Sequence, residues 1–231
     1  MLEAIGLTKK YQEHIALNNL NLKVEAGEVF CLLGQNGAGK TTTINLFLGF
    51  TAASSGEARV NDIVVSPNNE QTKQFLAYIP EVVMLYGHLS SIENLDFFSR
   101  IAGYKYKTNE LEELLLQAGL QADAFHKRVG NYSKGMRQKV GIAIAVAKNA
   151  KVILMDEPTS GLDPKATNEF SEIVKQLSRD GRSVFMATHD IFNAVNVGTR
   201  IGIMRQGSLI HTLNAKDISA VDLQKLYLET I

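Results

Sequence analysis

The sequence predicts an α/β fold in which a mostly parallel sheet is wound by helices on both faces. Three observations carry this prediction. Val29 to Leu33 is an apolar run of five residues, too short for a helix and suited to a strand covered on both sides. Comparable runs return at Lys151 to Met155 and at Ser183 to Thr188. Between the runs lie segments whose apolar residues recur at helical spacing, the crossover connections that parallel strands need.

The elements follow in order. Asn19 to Val24 alternates polar and apolar residues with period two, which predicts a strand with one wet face, and Glu25 to Glu28 is its turn into the first buried strand. Early antiparallel strands therefore precede the parallel core. Beyond Lys40, the positions of Ile44, Phe47 and Leu48 predict a helix, and Gly56 to Val60 and Leu76 to Ile79 are short strand candidates. Ser90 followed by Glu93 has capping-box spacing, and Ile92, Leu95, Phe98 and Ala102 continue it as a helical stripe. Leu111, Leu114, Leu115 and Ala118 form a second stripe, which Gly119 ends. Residues 84–147 thus read as a mostly helical insertion in a single domain, 1–231, whose core comes from 1–83 and 148–231. Asp163 as N-cap and Pro164 at the first helical position open a helix marked by Phe170, Ile173, Val174 and Leu177. In the tail from Asp222, Leu223, Leu226 and Tyr227 have the spacing of a helix that packs on core or on an interface.

Composition narrows the function. With 231 residues and 45% hydrophobic content, the chain can bury a large core and is not disordered. The 24 basic and 24 acidic residues cancel, so no global field favours nucleic acid or an anionic membrane, and no nucleic-acid partner is expected. The single cysteine, Cys31, excludes an intrachain disulfide and reads as a small core residue. No run approaches the length of a membrane span, and Met1 to Gly6 lacks the basic and apolar regions of a secretory signal, so a cytosolic chain is expected.

Gly34-Gln35-Asn36-Gly37-Ala38-Gly39-Lys40-Thr41 matches the phosphate-binding pattern G-x-x-x-x-G-K-[ST] between a predicted strand and a predicted helix. Glycines there let backbone amides close around phosphate oxygens, and the following helix points its positive end at the anion. Lys40 is expected to reach the β- and γ-phosphates and the Thr41 hydroxyl to hold Mg²⁺. This is a nucleoside triphosphate site. Asp156 and Glu157 end the second buried strand, at the edge where α/β sheets bind ligands. Adjacent side chains on an extended chain diverge, so Asp156 can complete the Mg²⁺ shell, directly or through water, while Glu157 faces the attacking water as general base. Tyr132 to Gln138 opens another helical run, with Ser133 as its cap and Gly135 permitting close backbone approach. A second anion-binding helix end suggests service to another molecule's nucleotide across an interface.

In this order the loop at 34–41, Ser133-Lys134-Gly135-Met136, Leu154 to Thr159, Ser160-Gly161-Leu162-Asp163 and Thr188-His189-Asp190 resemble the ATP-binding subunit of ATP-binding cassette (ABC) transporters. The likeness covers essentially the whole chain. It implies a P-loop, RecA-like nucleoside triphosphatase core with an N-terminal antiparallel β-subdomain and an inserted α-helical subdomain. By the resemblance, Tyr11 stacks on adenine, although by itself it reads as ordinary packing. Gly34, Asn36, Gly37, Ala38, Gly39, Lys40, Thr41 and Thr42 cradle the phosphates of ATP. His189 is the switch histidine that links the γ-phosphate to Glu157. Ser133 and Gly135 close on ATP held by a second ATP-binding subunit, and Asp163 lies in the loop crossing that interface. The remaining partner is a transmembrane subunit, which would hold this chain at the inner face of the membrane, with a groove around Met84 to Tyr104 as its dock.

Two positions depart from the commonest family pattern. Glu81 stands where most members carry a glutamine that touches Mg²⁺ or the lytic water; a carboxylate can still ligate the metal but donates no hydrogen bond unless protonated. Lys134 replaces the first glycine of the usual signature, and either adds a cation near the partner's phosphate or points to solvent. Both departures resemble a subgroup that drives ABC-2 and drug-resistance exporters. Rival readings are a soluble cassette ATPase acting on DNA or ribosomes, a small-molecule kinase using the same loop, and a regulatory module that binds ATP without turnover. The transported substrate, and whether the pair is homomeric or heteromeric, stay open at this level.

Overall fold

The computed structural model describes all residues, 1–231. Strands β1 (Leu2–Tyr11) and β2 (His14–Val24) form an antiparallel hairpin, and β3 (Val29–Leu33) enters the core. Helix α1 (Lys40–Phe47) follows, then β4 (Ser55–Val60), β5 (Ile63–Val64) and β6 (Leu76–Ile79). Three helices come next: α2 (Ser91–Ile101), α3 (Thr108–Gln117) and α4 (Lys134–Ala147). The remainder alternates: β7 (Val152–Asp156), α5 (Pro164–Arg179), β8 (Ser183–Thr188), α6 (Ile191–Val197), β9 (Arg200–Arg205), β10 (Ser208–Asn214) and α7 (Ala220–Thr230). No helix is long and apolar enough to cross a membrane.

Two sheets result, a four-stranded antiparallel one in the order β2-β1-β4-β5 and a six-stranded one in the order β10-β9-β3-β8-β7-β6. In the larger sheet β9, β3, β8, β7 and β6 pair in parallel, and β10 closes one edge antiparallel. Strand parity divides the core in two. Val29, Cys31 and Leu33 point to a cluster shared with α2 to α7, while Phe30 and Leu32 point to a second cluster shared with α1 and the antiparallel sheet. Phe30 stacks on Phe185 at 5.9 Å between ring centroids, and Phe47 meets Phe185 edge-on at 5.8 Å, which fixes α1 against the sheet. Leu95, Leu111, Leu115 and Val140 belong to the same cluster as Val29 and Ile153, so the inserted helices share a core with the sheet. Cys31 is fully buried, and burial pushes its thiol far above the ordinary range, as its place in an apolar strand implies.

Several local signals act as read. Along β2 the residues Asn19 to Val24 alternate exposed and buried. The Ser90 hydroxyl accepts the Glu93 amide at 3.3 Å while Glu93 accepts the Ser90 amide at 2.7 Å, completing the capping box. Asp163 caps α5 by accepting the Ala166 amide at 2.9 Å. The sequence pattern implies an antiparallel strand beside β2 but gives no bounds for β1, the β9-β10 pair or α6. Register shifts after Ala4, Leu7 and Lys9 break the alternation in β1, and α6 spans only seven residues, less than two full helical repeats. Ser90→Ala is expected to cost about 1 kcal/mol of unfolding free energy, read from the shift in urea midpoint at unchanged slope.

Candidate nucleotide site

The phosphate-binding loop connects the end of β3 to α1. Gly39 closes it with φ +110°, and a Cβ there would lie 2.7 Å from the Ala16 carbonyl, so both conformation and space demand glycine. A Cβ on Gly34 would lie 2.8 Å from the Met204 carbonyl. No side chain caps α1, which leaves its first amides to some other acceptor. The loop opens into a cleft of about 430 Å³. Gln35, Asn36, Gly37, Gly39, Lys40, Thr41 and Thr42 line one wall, Glu81, Asp156 and Glu157 another, and Tyr11, His14 and Ala16 the mouth.

Lys40 is 6% exposed, and its Nζ donates to the Gly34 carbonyl at 2.6 Å and the Gln35 carbonyl at 3.3 Å. The cation is thus folded into the loop's own hollow. Thr41 Oγ1 donates to Asp156 Oδ2 at 3.0 Å. Burial raises the Asp156 carboxyl above its ordinary value, opposed by the Thr41 hydroxyl and reinforced by the Glu157 charge. A hydroxyl beside a desolvated carboxyl is a donor set suited to a hard cation such as Mg²⁺.

Glu157 has the most constrained position. Its φ is +45°, a left-handed conformation that costs a non-glycine residue roughly 1–3 kcal/mol and marks functional sites. The amide donates to the Ala187 carbonyl at 2.9 Å, while Oε2 lies 2.8 Å from His189 Nδ1 and accepts the His189 amide at 3.2 Å. Oε1 is buried, lies 3.5 Å from Lys40 Nζ and has no hydrogen-bond partner. Glu157 is thus held by His189 at one oxygen and faces the Lys40 ammonium with the other, beside the phosphate loop. His189 is itself held between the end of β8 and the start of α6, where Asp190 donates its amide to Thr188 Oγ1 at 3.0 Å and caps Asn193 at 2.9 Å. Glu157 also lines a neighbouring cleft with His189, Ser160 and Thr159.

Tyr11 is 47% exposed at the mouth, with Lys9 Nζ 4.8 Å from its ring centroid, so its ring is available rather than packed away. His14, its partner in the hairpin, lines the same mouth, and no local sequence signal marks it because only the β1–β2 pairing brings it beside Tyr11. Ala38 does not line the cleft. Its amide donates to the Gln35 carbonyl at 3.1 Å and its buried side chain faces away, toward Met204.

The structure does not bring Ser133, Gly135 and Asp163 to this cleft. They line a separate one of about 390 Å³ on another part of the chain. Ser133 caps α4, with Oγ accepting the Met136 amide at 3.3 Å. A Cβ on Gly135 would meet Ala166 at an ordinary 3.5 Å, so nothing within this chain requires glycine there. Lys134, its side chain 29% exposed, makes a contact within its own chain. Its Nζ reaches Glu81 Oε1 at 3.5 Å, and the Ser160 hydroxyl and then the Lys134 ammonium hold the Glu81 carboxyl below its ordinary range.

Comparison with known proteins agrees with this geometry. The family model described as ABC transporter matches residues 17–160. The bacitracin transport ATP-binding protein of Bacillus licheniformis is 32% identical over 214 residues, covering 92% of this chain and 69% of that protein. The linearmycin resistance ATP-binding protein of Bacillus subtilis is 33% identical over 212 residues, covering 91% and 68%. An ATP-binding cassette solved as a dimer in a post-hydrolysis state with ADP and Pi superposes with a TM-score of 0.82 at 26% identity, covering 93% of this chain and 99% of that one. The chain belongs to the ABC transporter family, as one of its ATP-hydrolysing, nucleotide-binding subunits.

Proposed function

We propose that this chain hydrolyses ATP between two paired cassettes and drives export of a drug through a separate transmembrane subunit. The observation that carries the mechanism is the division of the site. A loop and general base lie in one cleft, and a capped helix end, Ser133 of α4, lies in another. The relatives named for bacitracin transport and linearmycin resistance support the export assignment.

In this reading Tyr11 stacks on the base and the loop amides with Lys40 bind the phosphates. Lys40 exchanges its loop carbonyl partners for phosphate oxygens. Glu157 Oε1 takes a proton from the attacking water as that water's oxygen forms a bond to the γ-phosphorus and the bond to the ADP oxygen breaks. His189 keeps Glu157 oriented. Glu81, Asp156 and Glu157 already line the cleft against one buried lysine, so a bound triphosphate needs further positive charge. Thr41 and Asp156, with Glu81 in reach, would hold Mg²⁺, which when bound neutralises charge on the phosphates. Ser133 and Gly135 of a paired chain would cover the γ-phosphate, with Asp163 at the seam. The chain would work at the cytoplasmic face of the membrane, its inserted helices hinged near Glu81.

The transmembrane partner has a fitting surface. A groove of about 670 Å³ is lined by Leu48, Phe50, Leu76, Tyr78, Phe98, Ile101 and Ile144, with Phe50 and Ile101 each 68% exposed. It overlaps the segment Met84 to Tyr104 at Phe98 to Ala102 and extends over β6, α4 and the residues that follow α1, Leu48 and Phe50. Its apolar lining suits an amphipathic helix.

Glu157→Gln is expected to slow phosphate release by roughly 10²- to 10⁴-fold while ATP-dependent dimers accumulate in sedimentation. A monomer that hydrolyses normally would refute the scheme. Tyr11→Ala should raise the KM for ATP with little change in kcat, since the ring contributes binding common to ground and transition states. Ile101→Glu should abolish copurification of a membrane partner and leave ATP turnover by the isolated chain intact.

A further inference from the structure

Helix α4 carries the Ser133 end at its start, and one stripe along it faces a single loop. Lys134, Gln138 and Gly141 stand at i, i+4 and i+7, on one helical face. All of them meet residues 80 to 83. Lys134 Nζ lies 3.5 Å from Glu81 Oε1. Gln138, only 1% exposed, donates its amide to the Pro80 carbonyl at 3.2 Å and the Glu81 carbonyl at 3.1 Å. A Cβ on Gly141 would lie 3.3 Å from both methyl groups of Val83, so the loop seats against the helix there. The same loop presents the Glu81 carboxylate to the nucleotide cleft.

We propose that Lys134 and Gln138 are positioning residues that clamp the signature end of α4 to the loop at Pro80–Val83, so that Glu81 acts on the second cleft through Lys134 as well as on its own. Gln138 is the fixed part of the clamp, because its two bonds go to backbone carbonyls and it is shielded from water. Its Oε1 is buried without a donor, which makes the amide nitrogen's two bonds the reason for glutamine at this place. The Lys134–Glu81 pair is the breakable part. Both groups are partly solvated, so the pair is weak enough to exchange when the Glu81 carboxylate is drawn toward nucleotide. The two departures from the common family pattern are then one feature: a lysine at the helix start and a carboxylate on the loop that needs it.

This inference rests on the paired-cassette reading for its functional consequence, but the clamp itself is testable without nucleotide. Amide exchange at residues 135 to 138 of the nucleotide-free chain should rise about two- to fivefold in Lys134→Gly and in Glu81→Gln. The Lys134→Gly rise should be smaller in the Glu81→Gln background than in the parent, because the shared contact is already weakened there, while the Ser160 hydrogen bond to Glu81 is altered by Glu81→Gln alone. Independent, multiplying effects, or no effect, would overturn the clamp. Gln138→Leu should give a larger rise, with a melting curve to establish that the chain stays folded. Lys134→Gly, a change at a partly exposed side chain, decides the matter should that variant unfold. In the Glu157→Gln background, Lys134→Gly should raise the ATP concentration for half-maximal dimerisation about two- to fivefold without changing the affinity of single chains for a fluorescent ATP analogue. An equal loss of both would assign Lys134 to the cis site and overturn the inference. Absence of ATP-dependent dimers in the Glu157→Gln parent would refute the functional reading, and the nucleotide-free exchange cycle would still decide the clamp.

Discussion

The site depends on the register between β7 and β8. Parallel pairing sets Asp156 opposite Ala187, so the next residues along the two strands, Glu157 and the Thr188-His189 turn, leave the sheet side by side. Glu157 is then held by its amide on the Ala187 carbonyl and by Oε2 on His189, and these bonds offset the cost of its left-handed backbone. A slip of one residue would put Met155 or Glu157 in the place where Asp156 now meets Thr41, and would turn the Asp156 carboxylate away from that hydroxyl. A buried strand with covered faces on both sides specifies register strongly, and the apolar runs of β3, β7 and β8 therefore serve chemistry as much as stability.

The parts of the molecule legible in the sequence are those written by local rules. The phosphate loop was legible because glycine is needed where φ is positive and where Ala16 and Met204 carbonyls crowd the chain. The Ser90 capping box and the Asp163-Pro164 helix start are likewise contacts among residues three apart. The bounds of strand β1 escaped because its bulges interrupt the period of two. His14 escaped too, since only the hairpin brings it beside Tyr11. Ala38 stands at an unconstrained position of the pattern, and its side chain packs in the same core cluster as Met204 while the loop carries the motif through its backbone. The Lys134–Glu81 contact spans 53 residues of sequence and has no local signature at all.

The loop with Glu157 and the Ser133 end of α4 line two separate clefts of one chain. In the proposed reading these are two halves of a site that pairing completes: a nucleotide gripped from both sides would stabilise only the paired arrangement, and hydrolysis would remove that difference. The inserted helices share a continuous core with the sheet and meet the cleft through the Pro80–Val83 loop, so movement at Glu81 has a mechanical path to α4. The apolar groove between β6, α2 and α4 lies along that path.

The most direct measurement of two-sided capture is cross-linking between chains that each carry one new cysteine. Cys31 is fully buried and does not interfere. Chains with Asn36→Cys, on the exposed loop, are mixed with chains carrying Ser133→Cys and treated with a short bismaleimide in a background of Glu157→Gln. The account predicts covalent pairs of the two different chains with ATP and none with ADP or without nucleotide. Pairs that form equally in every state, or that never form with ATP although both thiols react, would contradict it.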